Sequence, residues 1–216
     1  MGHALLFLLC LVVAIPSGLF ASSHRTPVHT LAIVTSFHGE HSSGVVREIK
    51  SEIQNILEIP EIQLEWRSLD EGPLRESFNH LVVARFGGDC TGNREDVRWD
   101  QKSTLGFAHV TDGKVIPFLE IDCGPIKRLI GGPSLQTPLA LRETLLGRAL
   151  GRVLAHELYH ILTETTEHSR YGIARPELSQ HDLTTMHLGF DPRDLEKIRE
   201  KLLEIRPVAP LAGGME

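Results

Sequence analysis

The residues His156-Glu157-Leu158-Tyr159-His160 have the types and spacing for metal-assisted hydrolysis. Positions four apart on a helix stack on one face, so His156 and His160 can offer two imidazole nitrogens to one ion. Glu157 lies one step around, within reach of a water on that ion without being a ligand. The ion would acidify the water and the carboxylate would take its proton, which is the layout of a zinc hydrolase. With 12 histidines in the chain, a chance match is the competing reading. The setting weighs against chance: the motif lies in an apolar helical run, and His168 follows eight residues after His160.

A catalytic zinc takes three protein ligands and keeps a position for water. His168 is the nearest candidate for the third. Thr163, Thr165 and Thr166 suit a helix that stops soon after His160, which lets the chain fold back and carry His168 to the ion. Glu164 and Glu167 compete with it, though hydrated surface carboxylates are their ordinary role. Glu177, His181 and Tyr171 lie further off. His24, His38, His41, His80, His109 and His187 read as surface or core residues.

The elements that would position these groups follow from periodicity and turn signals. The motif helix should run from about Pro138 to Leu162, with Leu150, Val153, Leu154, Leu158 and Ile161 on its apolar surface. Gly147 and Gly151 are weak helix formers, but together they make a flat patch for close packing. Upstream, Leu31 to Phe37 reads as a buried strand and Ser43 to Leu57 as a helix closed by Pro60. Ile62 to Leu69 and Leu81 to Phe86 read as two more strands, and Asp89 to Ser103 as a polar loop. Leu105 to Val110 and Val115 to Ile121 flank Thr111-Asp112-Gly113-Lys114, a hairpin signal. Pro117 lacks a ladder donor and should sit where no bond is needed. Gly124-Pro125 breaks the pattern and Gly131-Gly132-Pro133 marks a loop. A short helix follows Ser179, and a longer one spans Asp191 to Ile205, with Asp191 as N-cap and Pro192 at the first helical position.

The bulk properties fit this picture. A chain of 216 residues with net charge -6 and pI near 6.1 has no basic stripe, which excludes a nucleic-acid binder as a class. Ala4 to Ile15 is an unbroken apolar run followed by Pro16-Ser17-Gly18 and small residues, which predicts a secretory signal peptide at 1–21 cut after Ala21. The run is too short to span a bilayer, so stable membrane insertion is not expected. The mature chain would then be secreted or periplasmic, with one domain at 22–206 and a frayed tail at 207–216. Past the leader only Cys90 and Cys123 remain. In an exported protein such a pair suggests one disulfide, with two buried thiols as the alternative.

The order strand, helix, strand, strand, hairpin, active helix, C-terminal helices resembles that of the zincin metallopeptidases. His156 to His160, then His168-Ser169 and Gly172-Ile173-Ala174-Arg175, look like a group of uncharacterised exported bacterial proteins with H-E-x-x-H and a His eight residues on. The resemblance covers roughly Leu150 to Ile205; before Leu105 it is topological only. It departs from metzincins such as astacins and matrix metalloproteases, which place a turn glycine where Thr163 stands and the third His where Thr166 stands. Ala174 falls where the exported group has Met, which leaves a methionine turn without its residue; Met186 is a distant substitute.

The resemblance implies an α+β, zincin-like fold: a mixed twisted sheet of about five strands, an edge strand at Leu105 to Val110 beside the cleft, and C-terminal helices. It implies a zinc-dependent metallopeptidase with zinc on His156, His160 and His168 and with Glu157 as general base. The substrate would be a peptide or protein met outside the cytoplasm, held by strand addition along the edge. Arg175 would bind a carboxylate, internal or from substrate. The alternative is a non-catalytic exported binding or structural protein in which zinc pins the fold.

Overall fold

Leu31-Ala32-Ile33-Val34 has no polar alternation, so a strand built on it must be covered on both faces. These residues form the centre of β1 (His29–His38), and all four are fully buried. The computed structural model describes residues 29–73, 76–93, 104–131 and 137–204. The expected signal peptide, the tail at 207–216 and parts of two expected loops lie outside the described residues.

β1 is flanked in parallel by β2 (Ile62–Ser68) and β3 (His80–Gly87). Beyond β3 the sheet is completed by β4 (Gly106–Thr111) and β5 (Lys114–Asp122), in the order β2-β1-β3-β5-β4. β5 is parallel to β3, and β4 runs antiparallel along the edge. The sheet is therefore mixed and five-stranded, and with the helices that follow it the architecture is the expected α+β.

The hairpin forms as its Asp-Gly predicts: Asp112 and Gly113 both take positive φ, 51° and 73°, and Thr111 pairs with Lys114. Two positive φ values match the right-handed twist of the flanking strands. Pro117 sits in an irregularity. The pairing jumps from Ala108 with Leu119 to Val110 with Val115, so Ile116-Pro117-Phe118 oppose His109 alone. The pairing of β5 with β3 begins only at Phe118, so the missing Pro117 donor goes unneeded on both sides.

α1 (Ser43–Ile56) is capped by Ser42, whose hydroxyl accepts from the Val45 amide at 3.2 Å, and it buries Val45, Ile49, Ile53 and Ile56. It lies against α3 (Leu139–Leu162). The flat patch of α3 is what lets it approach: a Cβ on Gly147 would stand 2.8 Å from the Val45 carbonyl oxygen, and one on Gly151 2.8 Å from the Glu52 Cβ. The cores of both helices join Val82, Ala84 and Phe86 of β3 and Leu119 and Ile121 of β5 in one apolar cluster.

One expectation is overturned. Gly124-Pro125 does not break the chain but opens α2 (Cys123–Leu129). The Asp122 carboxylate caps it, accepting from the Gly124 amide at 3.0 Å. Pro125 falls in the first turn, where helical amides have no intrahelical partner, so its missing N–H costs nothing. Cys123 at the head of α2 is disulfide-bonded to Cys90, just past β3.

α4 (Gln180–Thr184) begins at a capping box: the Ser179 hydroxyl accepts from the Asp182 amide and the Asp182 carboxylate from the Ser179 amide. α5 (Pro192–Glu204) starts as expected, with the Asp191 side chain accepting from Arg193 at 3.0 Å. No helix among the described residues is long and apolar enough to cross a membrane.

Candidate metal centre

α3 lays His156 and His160 one turn apart and faces both toward the open side of the sheet edge. The helix stops at Leu162, and Glu164 then takes a left-handed φ of 52°. The Thr165 amide closes the turn on the His160 carbonyl at 3.1 Å, and the Thr163 hydroxyl bonds the Tyr159 carbonyl at 2.6 Å. That reversal brings back His168. One ring nitrogen from each of His156, His160 and His168 lies within 4.8 Å of the others.

The imidazole tautomers follow from their partners. His156 Nδ1 lies 2.8 Å from the Ile173 carbonyl oxygen, and His160 Nδ1 lies 2.9 Å from that of Thr165. A carbonyl can only accept, so each Nδ1 carries the proton and each Nε2 keeps its lone pair. The two Nε2 atoms are 3.3 Å apart. With both rings neutral they have no proton to share, and burial keeps the rings neutral: it pushes His156 down to about 4 and lowers His160 as well. A cation satisfies both lone pairs. Two nitrogens each about 2.05 Å from a tetrahedral zinc would stand about 3.3 Å from each other, so the donor pair fits that ion.

Glu157 is buried to 6% exposure beside them and accepts from the Ala108 amide of β4. Burial pushes its carboxyl up to about 7, against the Ala108 hydrogen bond, which favours the charged form. A proton acceptor poised near neutral pH is what general-base chemistry uses. Gly106, Phe107, Ala108, His156, Glu157 and His168 are among the residues lining a cleft of about 310 Å³ between β4 and α3.

His168 is exposed, whereas His160 is buried. The competing third donors do not join the cluster: neither Glu164, Glu167 and Glu177 nor His181 belongs to it, and Tyr171 is 68% exposed away from the cleft lining. Arg175 finds its carboxylate internally, pairing with Asp182 and donating from Nε to the Glu177 carbonyl at 3.0 Å. Met186 is 69% exposed, whereas Ile173 and Ala174 are buried and the Ile173 carbonyl accepts from His156. Sequence reasoning missed the backbone groups: the Ile173 and Thr165 carbonyls and the Ala108 amide. Every residue but proline carries both groups, so no residue type announces them.

No protein-family model matches the chain, and no curated protein matches it. Among solved structures the chain is similar to archaemetzincin from Methanopyrus kandleri, at 13% identity and a TM-score of 0.49, over 83% of this chain and 98% of that one.

Proposed function

We propose that the protein is a zinc-dependent metallopeptidase of zincin type, acting on peptides or proteins outside the cytoplasm. The observation that carries the reading is the facing pair of unprotonated Nε2 atoms at 3.3 Å, with His168 beside them and Glu157 in the same cleft. His156, His160 and His168 would hold the ion. Zinc held there would supply Lewis acidity, polarising a carbonyl and bringing the pKa of a water to about 7. Glu157 takes a proton from the attacking water and delivers it to the departing amine. The Ala108 amide fixes the Glu157 carboxylate against the edge strand, so the base and the substrate track share one support.

The track itself is the outer backbone of β4. The Leu105 carbonyl faces inward, accepting from Asp122 at 3.0 Å. Alternation then turns the backbone groups of Gly106 and Val110 outward, where an extended peptide can pair with them. A metal that merely pinned the fold would be closed by a fourth protein ligand. Here His168 is exposed, and no fourth donor joins the group among the described residues. Action outside the cytoplasm is supported by the apolar leader and by the Cys90–Cys123 disulfide, a bond suited to oxidising compartments.

The test is elemental analysis with peptide hydrolysis. The purified protein is expected to hold about one zinc per chain, as three ligands on one ion require. Glu157→Gln should keep that zinc and hydrolyse a mixed peptide library at least about 100-fold more slowly. A parent protein without metal, or a Glu157→Gln variant working at the parent rate, sinks the reading.

A further inference from the structure

Four side chains of α3 fall at four-residue intervals on one face: Arg148, Arg152, His156 and His160. Each donates to a backbone carbonyl of the chain that returns after the helix. His160 Nδ1 reaches Thr165 at 2.9 Å and His156 Nδ1 reaches Ile173 at 2.8 Å. Arg152 Nη1 reaches Asp182 at 2.5 Å and Arg148 Nη1 reaches Thr184 at 3.1 Å. The further back the donor lies on the helix, the later its acceptor comes in the return segment. The segment is thus laced to the helix at four points, and His168 falls between the first two.

His168 depends on this lacing more than the other imidazoles do. It is exposed, and its ring has no hydrogen-bond partner among the described residues; its contacts are with the His156 and His160 rings. Its place is therefore set by the loop backbone, and so by the anchors on either side. The strongest downstream anchor is Arg152. It is fully buried, its Nε donates to the Glu52 carboxylate of α1 at 2.7 Å, and its Nη2 is left without a partner. The Asp182 residue it grips sends its carboxylate back to Arg175, two residues past Ile173. A continuous path of charge-assisted bonds thus runs from α1 through α3 and α4 to the loop that carries His168. Apolar replacements of similar volume often hold a fold as well as a buried ion pair does. Stability alone therefore does not call for an incompletely satisfied arginine at this place.

We propose that Arg152 is a positioning residue for the metal centre: by tying Glu52 to the Asp182 carbonyl it fixes the far end of the return segment and keeps His168 beside His156 and His160. This rests on the metallopeptidase reading above.

The test compares parent, Arg152→Met, Arg152→Lys and His168→Ala by zinc affinity and by the visible absorption of the cobalt-substituted protein, with thermal unfolding as a check on folding. Arg152→Met should bind zinc about 10–100-fold more weakly, as losses of ligand-supporting groups do, and its cobalt bands should move toward those of His168→Ala. Arg152→Lys keeps the charge for Glu52 but lacks the planar fork that reaches both partners. It should shift affinity and spectrum the same way by less, and it serves as the deciding variant where Arg152→Met does not fold. Folded variants with the parent affinity and the parent cobalt spectrum overturn the positioning role and leave the metallopeptidase reading standing. A parent that takes up neither zinc nor cobalt sinks that reading and this one together.

Discussion

The candidate centre has two halves built differently. The helix half, His156, Glu157 and His160, rides on α3, whose Leu150, Leu154 and Leu158 are fully buried in the main core. The loop half, His168, hangs on a segment without regular structure between Leu162 and Gln180 and is held by backbone anchors. A helix inside a packed core fixes its side chains to the accuracy of that packing. A loop fixes them only as well as its tethers do. The difference teaches that the spacing of two ligands is local, while the third is a long-range product of the fold.

The sharpest way to break this comparison is to remove one ligand from each half. His156→Ala takes away a donor that faces His160 at 3.3 Å and also frees the Ile173 carbonyl, so it strikes both halves. Zinc affinity should fall by more than the roughly 100-fold that loss of a supporting group gives. His168→Ala leaves the helix pair intact and should bind zinc more tightly than His156→Ala, as read by competition with a chromogenic chelator. Equal losses would mean that the halves are not mechanically distinct.

The disulfide offers a control outside the four lacing bonds, joined to the return segment only at the other end of α2, where Gln180 Nε2 donates to the Ile130 carbonyl at 3.0 Å. Cys90 and Cys123 tie the end of β3 to α2 across 33 residues. Replacing both by serine should cost about 3–4 kcal/mol of unfolding free energy in the chain-entropy model. Zinc affinity of the folded fraction should hold, because neither cysteine takes part in the four bonds that lace the return segment to α3. A large drop in affinity at constant folded fraction would show that the tie between the ends of β3 and β5 also sets the centre.

A pair of glycines sharpens the contrast further. Gly172 in the loop half has φ +67°, and a Cβ there would meet the Gly189 carbonyl oxygen at 2.6 Å and the Asp191 amide nitrogen at 2.8 Å. Backbone strain and overpacking both act, so Gly172→Ala should cost about 1–3 kcal/mol and weaken zinc binding. Gly147→Ala would set its Cβ 2.8 Å from the Val45 carbonyl oxygen and still closer to the Glu48 Cβ, both on the α1 side. Helix propensity returns about 1 kcal/mol but offsets only part of that overpacking, so Gly147→Ala should also cost about 1–3 kcal/mol, while the zinc affinity of its folded fraction stays unchanged. Paired calorimetric unfolding and zinc titration of the two variants would check both statements.

What was legible in the sequence divides along the same line. The apolar period of α3, the Asp-Gly hairpin and the Asp191 cap are local signals carried by residue types, and each appears where the sequence placed it. His168 was reachable from spacing because the threonines after His160 announce the helix end. The anchors that place it were not. Glu164 takes a conformation usually left to glycine, and the Thr165 and Ile173 carbonyls act through atoms that every residue shares. α2 was misread because Gly124-Pro125 signals a break in a helix interior but is tolerated in a first turn capped by Asp122. Arg152 carries a charge in an apolar stretch of the helix, yet Glu52 and Asp182, its partners, stand 100 and 30 residues away.

The smallest expected effect is a separation in pH between the return segment and the contact of β3 with α5, where His80 Nε2 donates to the Leu202 carbonyl at 2.7 Å. Burial lowers the His80 pKa, against that hydrogen bond and with help from His29. Its folded pKa thus lies below its unfolded value near 6.5, so the unfolded chain takes up the proton first as pH falls. The His80 contribution is complete above about 6.5 and is lost as pH drops from there toward its folded pKa. Asp182, on the lacing, is raised by its own desolvation but held below the usual carboxylate range by hydrogen bonds from Ser179 and by Arg175. Its contribution is present above the unfolded pKa of about 3.9 and is lost only as pH falls below that value. Because burial lowers His156 and His160 as well, their contributions also begin to fall below the unfolded value near 6.5, so the comparison is made by difference between variants. Stability of the parent minus that of His80→Gln, whose amide can still donate to Leu202, should be flat above neutral pH and change between pH 7 and 5, on the order of the window around the unfolded pKa. The same difference for Asp182→Asn should stay flat there and change only below about pH 4.5. Superimposed difference curves would mean that His80 and Asp182 report one acid-sensitive contact rather than two.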